Sequence, residues 1–279
     1  MRFLALIVLC PALPLLACAQ ATARTPGTAG SSYTPHLSFD VASVREYRSN
    51  GGMRYVVNMP HNSYYRAEGV NLFGLMRGLY DLKRTEQLEN LPDWARRTLY
   101  TIDAKSDQAT DVALEKLSDS DALAEKNHML QVLLAERFHL KIHPETRMSN
   151  TYELITTSRT AKLMTPVHAD VGKTINTCYM RTSRDKGAKI DSKGCPFHIF
   201  FQELEQNAGT DVVDRTGMTG VYAFQLMWWP VQMREGDPSA DRYPPLRNAV
   251  REQLGLELKP TKGPVTFWVV DHIERPTPN

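Results

Sequence analysis

Phe138-His139-Leu140-Lys141 and, far downstream, Leu256-Glu257-Leu258-Lys259 share one setting: each follows an apolar helical run and precedes a turn and a further strand. In the first copy, alternation puts Phe138, Leu140 and Ile142 on one strand face. The run before it predicts a helix from about Asp119 to Arg137. Ser118 or Asp119 is its cap, and Leu123, Met129, Leu130, Leu133 and Leu134 form its buried side. The run before the second copy predicts a helix from about Pro245 to Leu254 that stops at Gly255, because glycine readily takes the left-handed conformation that ends helices.

Working outward, the order repeats. In the first half a helix around Leu72–Tyr80 is followed by strand-like Leu99–Lys105, the long helix, the Phe138–Ile142 strand, a turn, and Thr151–Ile155. In the second half Phe197–Asn207 is helical, Asp211-Val212-Val213 and Tyr222–Trp228 are strands, and Leu256–Lys259 and Val265–Val270 flank a turn at Lys262-Gly263. The expected fold class is therefore α+β, with two similar helix-strand-strand-helix-strand-strand units and antiparallel or mixed sheets. The expected organisation is a signal peptide over 1–19, a flexible tether over 20–36, a first unit over 37–160, a connecting segment with a disulfide loop over 161–196, and a second unit over 197–279.

The leader MRFLALIVLCPALPLLACAQ has a basic start, an apolar run broken by Pro11 and Pro14, and small residues at its end. It reads as a secretory signal, too short and too proline-broken for a spanning helix. Leu15-Leu16-Ala17-Cys18 resembles a lipobox, which makes Cys18 the lipid attachment site. Ala17-Cys18-Ala19 also suits cleavage to a soluble chain, and an uncleaved anchor is the third possibility. The chain is thus expected to be exported, either on the periplasmic face of a membrane by a lipid anchor or free in the periplasm. Cys178 and Cys195 remain as the pair for a disulfide, with two separate thiols or a metal pair as alternatives. A bridge of this loop size stabilises by roughly 3 kcal/mol in the chain-entropy picture.

Hydrophobic residues make up 42 %, charged residues 23 %, and the net charge is +2. These values suit a globular protein and provide none of the basic density that nucleic-acid binding needs. Gly209–Tyr222, GTDVVDRTGMTGVY, reads as a structural turn: Thr216-Gly217 and Thr219-Gly220 supply tight bends, and Asp214 can accept hydrogen bonds from turn N–H groups. Trp228 and Trp229 present one indole to each strand face, which makes an exposed one a candidate for binding a partner.

No local catalytic motif stands in its proper context. His-Glu-x-x-His, Gly-x-Ser-x-Gly and the phosphate-binding glycine loop are missing, and Ser183-Arg184-Asp185-Lys186 lacks the Lys-Thr-Gly strand of penicillin-recognising enzymes. His139 and His143, with Glu136 or His128, make a weak metal set, because His143 precedes Pro144. No catalytic residue, metal or cofactor is therefore assigned. The basic run Arg181, Arg184, Lys186, Lys189 and Lys193 reads as a solvated loop or as a surface for an acidic partner or anionic lipid.

Several segments together resemble an exported family of unknown function from soil bacteria, expanded in acidobacteria of the Solibacter type. They are Phe39–Val44, Leu133–Lys141, Val213–Tyr222, Gln253–Leu258 and Val269–Pro276, and the likeness extends over roughly 38–277. Met218, where that family usually has leucine, and the segment 81–94 depart from its pattern. Related domains are fused to membrane metallopeptidases of the antirepressor type, which implies sensing. The repeat also resembles the short signalling domains at the start of secretins and TonB-dependent receptors. The expected function is a non-catalytic binding or sensing module for an envelope protein or other envelope component. The alternative is an envelope hydrolase whose site is assembled from distant segments.

Overall fold

The computed structural model describes residues 33–48, 54–167, 178, 180–183, 187–230 and 243–276. The leader, Cys18 and most of the expected tether lie outside the described residues. The first half runs β1 (Val41–Glu46), β2 (Tyr55–Asn58), β3 (Tyr65–Val70), α1 (Leu72–Leu79), β4 (Leu88–Glu89), α2 (Asp93–Arg97), β5 (Tyr100–Lys105), α3 (Gln108–Glu115), α4 (Asp119–Phe138) and β6 (Lys141–Thr156). The second runs α5 (Thr160–Leu163), β7 (Thr165–Pro166), β8 (Met180–Ser183), β9 (Gly187–Pro196), α6 (Phe197–Ala208), β10 (Val212–Asp214), β11 (Val221–Trp228), α7 (Leu246–Ala249), a π-helical turn Val250–Leu254, and β12 (Leu256–His272). The fold is α+β.

Among the described residues three four-stranded sheets form, ordered β1-β5-β3-β2, β10-β6-β12-β4 and β7-β11-β9-β8. Exchanging β1–β6 for β7–β12 turns the first order into the third and reverses the middle one. The pairings agree as well. Both end sheets are antiparallel throughout, and β4 and β10 add to the central pair in parallel. The two halves therefore repeat one plan about a pseudo-twofold axis.

The register of the repeat differs by two residues from the one expected. α4 ends at His139 (φ 50°) and the second-half helix ends at Gly255 (φ 67°), both left-handed. Leu140 thus corresponds to Leu256 and Ile142 to Leu258. The same spacing relates Tyr152, opposite Val212 of β10, to Trp268, opposite Leu88 of β4. It also relates Met148 to Pro264, which face each other, so the axis passes through that pair.

The turns expected after Ile142 and at Lys262-Gly263 do not form. Each unit's last two strands are halves of one long strand, and β6 and β12 pair antiparallel from end to end. Pro144, Pro260 and Pro264 all lie within these long strands, and they fit. Tyr152, opposite Pro260, sends its N–H outward to Asp211, so that pair is of the type whose N–H groups point away from the partner strand. Pairs of this type recur every second residue, and Met148–Pro264 and Pro144–Trp268 belong to the same set. No ladder bond is lost at any of the three prolines.

Each long strand starts in one hydrophobic core and ends in the other. Leu140 and Ile142 of the first half pack with Trp268 and Val270 from the end of β12, around Tyr65, Tyr100 and Phe138. Leu256 and Leu258 pack with Tyr152 and Leu154 from the end of β6, around Phe200, Phe224 and Trp228. Ser118 caps α4, its Oγ accepting from the Asp121 N–H at 3.2 Å. Leu123 departs from expectation: Ala122, Glu125, Lys126 and Met129 form the buried side of this part of the helix, and Leu123 is 46 % exposed. Residues 161–196, expected to connect the units, supply three strands of the third sheet.

Candidate functional site at the seam between the halves

The chain leaving α1 and the chain around the end of α6 meet on the pseudo-twofold axis. Asp81 and Glu205 stand equally far ahead of β4 and β10, and the Lys83 ammonium lies between them, 2.7 Å from Asp81 Oδ1 and 2.9 Å from Glu205 Oε2. Burial works against the Lys83 charge, but the bonds to Asp81 and Glu205 outweigh it and hold the amine more basic than usual. Gln87 and Asp211 immediately precede β4 and β10, and they also meet: Gln87 Nε2 donates to Asp211 Oδ2 at 3.3 Å. The symmetry extends to the ribbon, where Gln87 donates to the Thr266 carbonyl and Thr210 to the equivalent Asn150 carbonyl. Burial first, and then the nearby Glu205 charge, raise the Asp211 pKa.

The carboxylates here are occupied. Glu205 Oε1 accepts from the Val212 N–H at 3.1 Å while Oε2 holds Lys83. Asp81 Oδ1 accepts from Lys83 and from Gln206 Nε2. A pair of carboxylates already held by internal donors is built to lock two halves together rather than to shuttle protons. Of the five buried polar side-chain atoms without a partner among the described residues, Thr151 Oγ1 and Arg84 Nε lie here, and the neighbouring guanidinium nitrogen of Arg84 donates to Ser149 Oγ at 3.0 Å.

A second charged array lies on β4, β6 and β12. Arg147 forms a bidentate pair with Glu89 at 2.6 and 3.0 Å and also bonds Glu145, and its guanidinium sits 5.0 Å from the centre of the Phe267 ring. His143 bridges Asp271 at 2.8 Å and Glu145 at 3.3 Å, and the bond to Asp271 leads in raising its pKa. The imidazole is thus committed to two carboxylates, with no nucleophile among its partners. Among the described residues no cluster of histidine, cysteine or acidic side chains is arranged to hold a metal ion.

On α4, Glu125 is fully buried and accepts from the Tyr33 hydroxyl, from the His36 N–H at 2.9 Å and from the Leu37 N–H at 2.6 Å. Beside it, Lys126 is also buried, and its ammonium donates to the Asn62 and Tyr64 carbonyls at 2.8 and 3.2 Å. These neighbours fasten residues 33–37 and the loop before β3 to one helix.

The residues singled out from sequence fall in several places. Cys178 and Cys195 form a disulfide with Cα atoms 5.2 Å apart, tying the chain ahead of β8 to the end of β9. Asp214 Oδ1 accepts from the Thr216 N–H at 2.8 Å and hydroxyl at 2.7 Å. Gly217 has φ 65° and Gly220 φ 95°, and the Thr219 carbonyl accepts from the Tyr222 hydroxyl. Trp228 and Trp229 are both buried, so neither offers the exposed ring expected of a binding residue. The Leu226 and Trp228 face enters the second core, while Trp229 is covered from the side of Gly187 and Tyr243. Of Ser183–Lys186, only Ser183 is described. The seam residues Lys83, Gln87, Glu205 and Asp211 carried no motif, and two of them lie in the segment 81–94 where the family resemblance is weakest.

A duplicated α+β unit with a polar seam on its axis is the class of protein that these observations define. The family described as protein of unknown function (DUF3738) matches residues 74–273, from α1 to the end of β12, and the chain belongs to it. No curated protein and no solved structure matches the chain. No described helix is long and apolar enough to cross a membrane.

Proposed function

We propose that this protein is an exported, non-catalytic binding or sensing module that engages an envelope protein by strand pairing at a sheet edge. The observation that carries the reading is that both end sheets stay open: among the described residues no strand pairs with the outer side of β2 or of β8. Val56 on β2 and Met180 on β8 are exposed apolar side chains at these edges. An open edge recognises an extended segment through its own N–H and C=O groups, which needs little side-chain signature. Export is supported by the leader and by the disulfide, which persists in an oxidising compartment. Attachment at Cys18, the soil-bacterial setting and an envelope partner rest on the sequence reading alone.

The test is photocrosslinking in intact cells, with a photoreactive side chain placed at Val56, at Met180 and, as a control, at the exposed Leu123 of α4. Discrete protein adducts from an edge position and none from Leu123 are expected. Equal labelling at all three positions would remove the edge-binding reading. So would turnover of peptidase, glycosidase or esterase substrates that disappears in Asp211→Asn, which would favour the hydrolase alternative.

A further inference from the structure

Among the described residues the three sheets have six edge strands, and five of them carry a feature that opposes pairing with their own counterpart in a second copy. β4 and β10 are two and three residues long. β7 has two residues and contains Pro166. β8 carries Arg181. β1 carries Arg45 and Glu46, and Arg137 of α4 donates to its Ala42 carbonyl at 2.7 Å. β2, Tyr55-Val56-Val57-Asn58, has no charge and no proline, and its register with β3 runs without a bulge.

The side chains of β2 are sorted by face. Val56 pairs with the fully buried Ala67, so it carries the core side of the sheet out to the rim, where it is 52 % exposed; Met59 just beyond is 64 % exposed. On the other face the Tyr55 hydroxyl accepts from Arg66 Nε at 2.9 Å and donates to Glu68, and Arg66 also bonds Asp103. Arg66, Glu68 and Asp103 are thus paired within the sheet, and the Arg54 stem lies over Gly69 at the strand's start.

We infer that β2 pairs antiparallel with β2 of a second copy of this chain, joining the two first sheets into one. This rests on the edge-pairing reading above and names the partner at this edge. A twofold axis perpendicular to the sheet keeps the two core faces on the same side only if one residue meets its own counterpart. Centring on Val56 sets valine against valine and Tyr55 against Val57, an aromatic and β-branched pair of the kind that favours cross-strand contact. No like charges meet. The edges at β8 lie in the other half and stay available to a different protein.

Sedimentation of the full chain extracted from envelopes tests this. A dimer is expected, and Val56→Lys should weaken it at least about tenfold by setting two ammonium groups against each other. Val41→Lys, at an exposed site on β1, should leave it unchanged. Val56→Cys should yield a reducible cross-link between copies that is missing from the unaltered chain and from Val41→Cys. A monomer at every concentration, or a dimer indifferent to Val56→Lys, overturns the proposal. Should the chain be monomeric while Val56→Lys abolishes an adduct with another envelope protein, the self-pairing fails and the binding-module reading stands. Loss of neither leaves both without support.

Discussion

Gly255 and His139 occupy equivalent left-handed helix ends but differ in what surrounds them. A Cβ on Gly255 would lie 2.7 Å from the Thr160 N and 2.8 Å from the Arg159 carbonyl carbon, so Gly255→Ala adds a backbone clash to the left-handed cost of ~1–2 kcal/mol. Urea denaturation should show a loss of more than about 2 kcal/mol, whereas His139→Gly should change stability by no more than about 1 kcal/mol. Lys126 gives a pH signature. Burial lowers its pKa to about 8 from an ordinary 10.5. The unfolded chain therefore binds more protons between these values, and this group's contribution to stability rises with pH across that window. The urea midpoint of the native chain should gain on that of Lys126→Met as pH goes from 8 to 10. A difference that stays flat would show that the amine titrates normally in the fold.

At the level of elements, the β6–β12 ribbon makes a sharp forecast, because hydrogen-bonded and open pairs alternate along it. Lys262, opposite Asn150, belongs to the same open set as Pro260 and Pro264, whereas Thr261, opposite Thr151, belongs to the bonded set. Lys262→Pro should cost less than about 1 kcal/mol, and Thr261→Pro about 2 kcal/mol or more, read from thermal or urea unfolding. The same alternation explains what sequence patterning missed. Pro144, Pro260, Gly263 and Pro264 punctuate the chain as turns do, and only the pairing partner decides that their missing N–H groups or side chains cost nothing. The helices around 72–80, 119–137, 197–207 and 245–254 were legible because their apolar spacing and caps are local, as with Ser118 and Gly255, whereas α2, α3 and α5 were not marked. The duplication was legible in order but slipped by two residues, since the helix ends align through conformation, His139 with Gly255, rather than through residue type. The seam was not legible at all: Lys83 and Glu205 are far apart in the chain and have no pattern that marks them as neighbours.

For the whole molecule, the exchange of strand ends between the cores means that neither half completes its packing alone. Equilibrium unfolding should be a single transition, with calorimetric and van 't Hoff enthalpies in agreement. The seam sets how strongly the halves are held. Lys83→Met leaves Asp81 and the largely buried Glu205 facing each other without a cation, and should destabilise by about 3 kcal/mol. Adding Glu205→Gln to that variant should recover part of the loss, because it removes the uncompensated charge. A double variant as unstable as the single one would show that Lys83 acts through its packing rather than its charge.

The fastening of residues 33–37 to α4 has a mechanical consequence. A pull arriving along the chain from its N-terminal side meets the Glu125 contacts before it reaches β1. β1 is an edge strand and would otherwise unzip from β5 one bond at a time. With the latch closed, the load enters the 20-residue helix α4, whose C-terminal half is packed in the first core through Leu130, Leu133, Leu134 and Phe138. Under the anchoring proposed above, such a latch would spare the domain peeling at this edge.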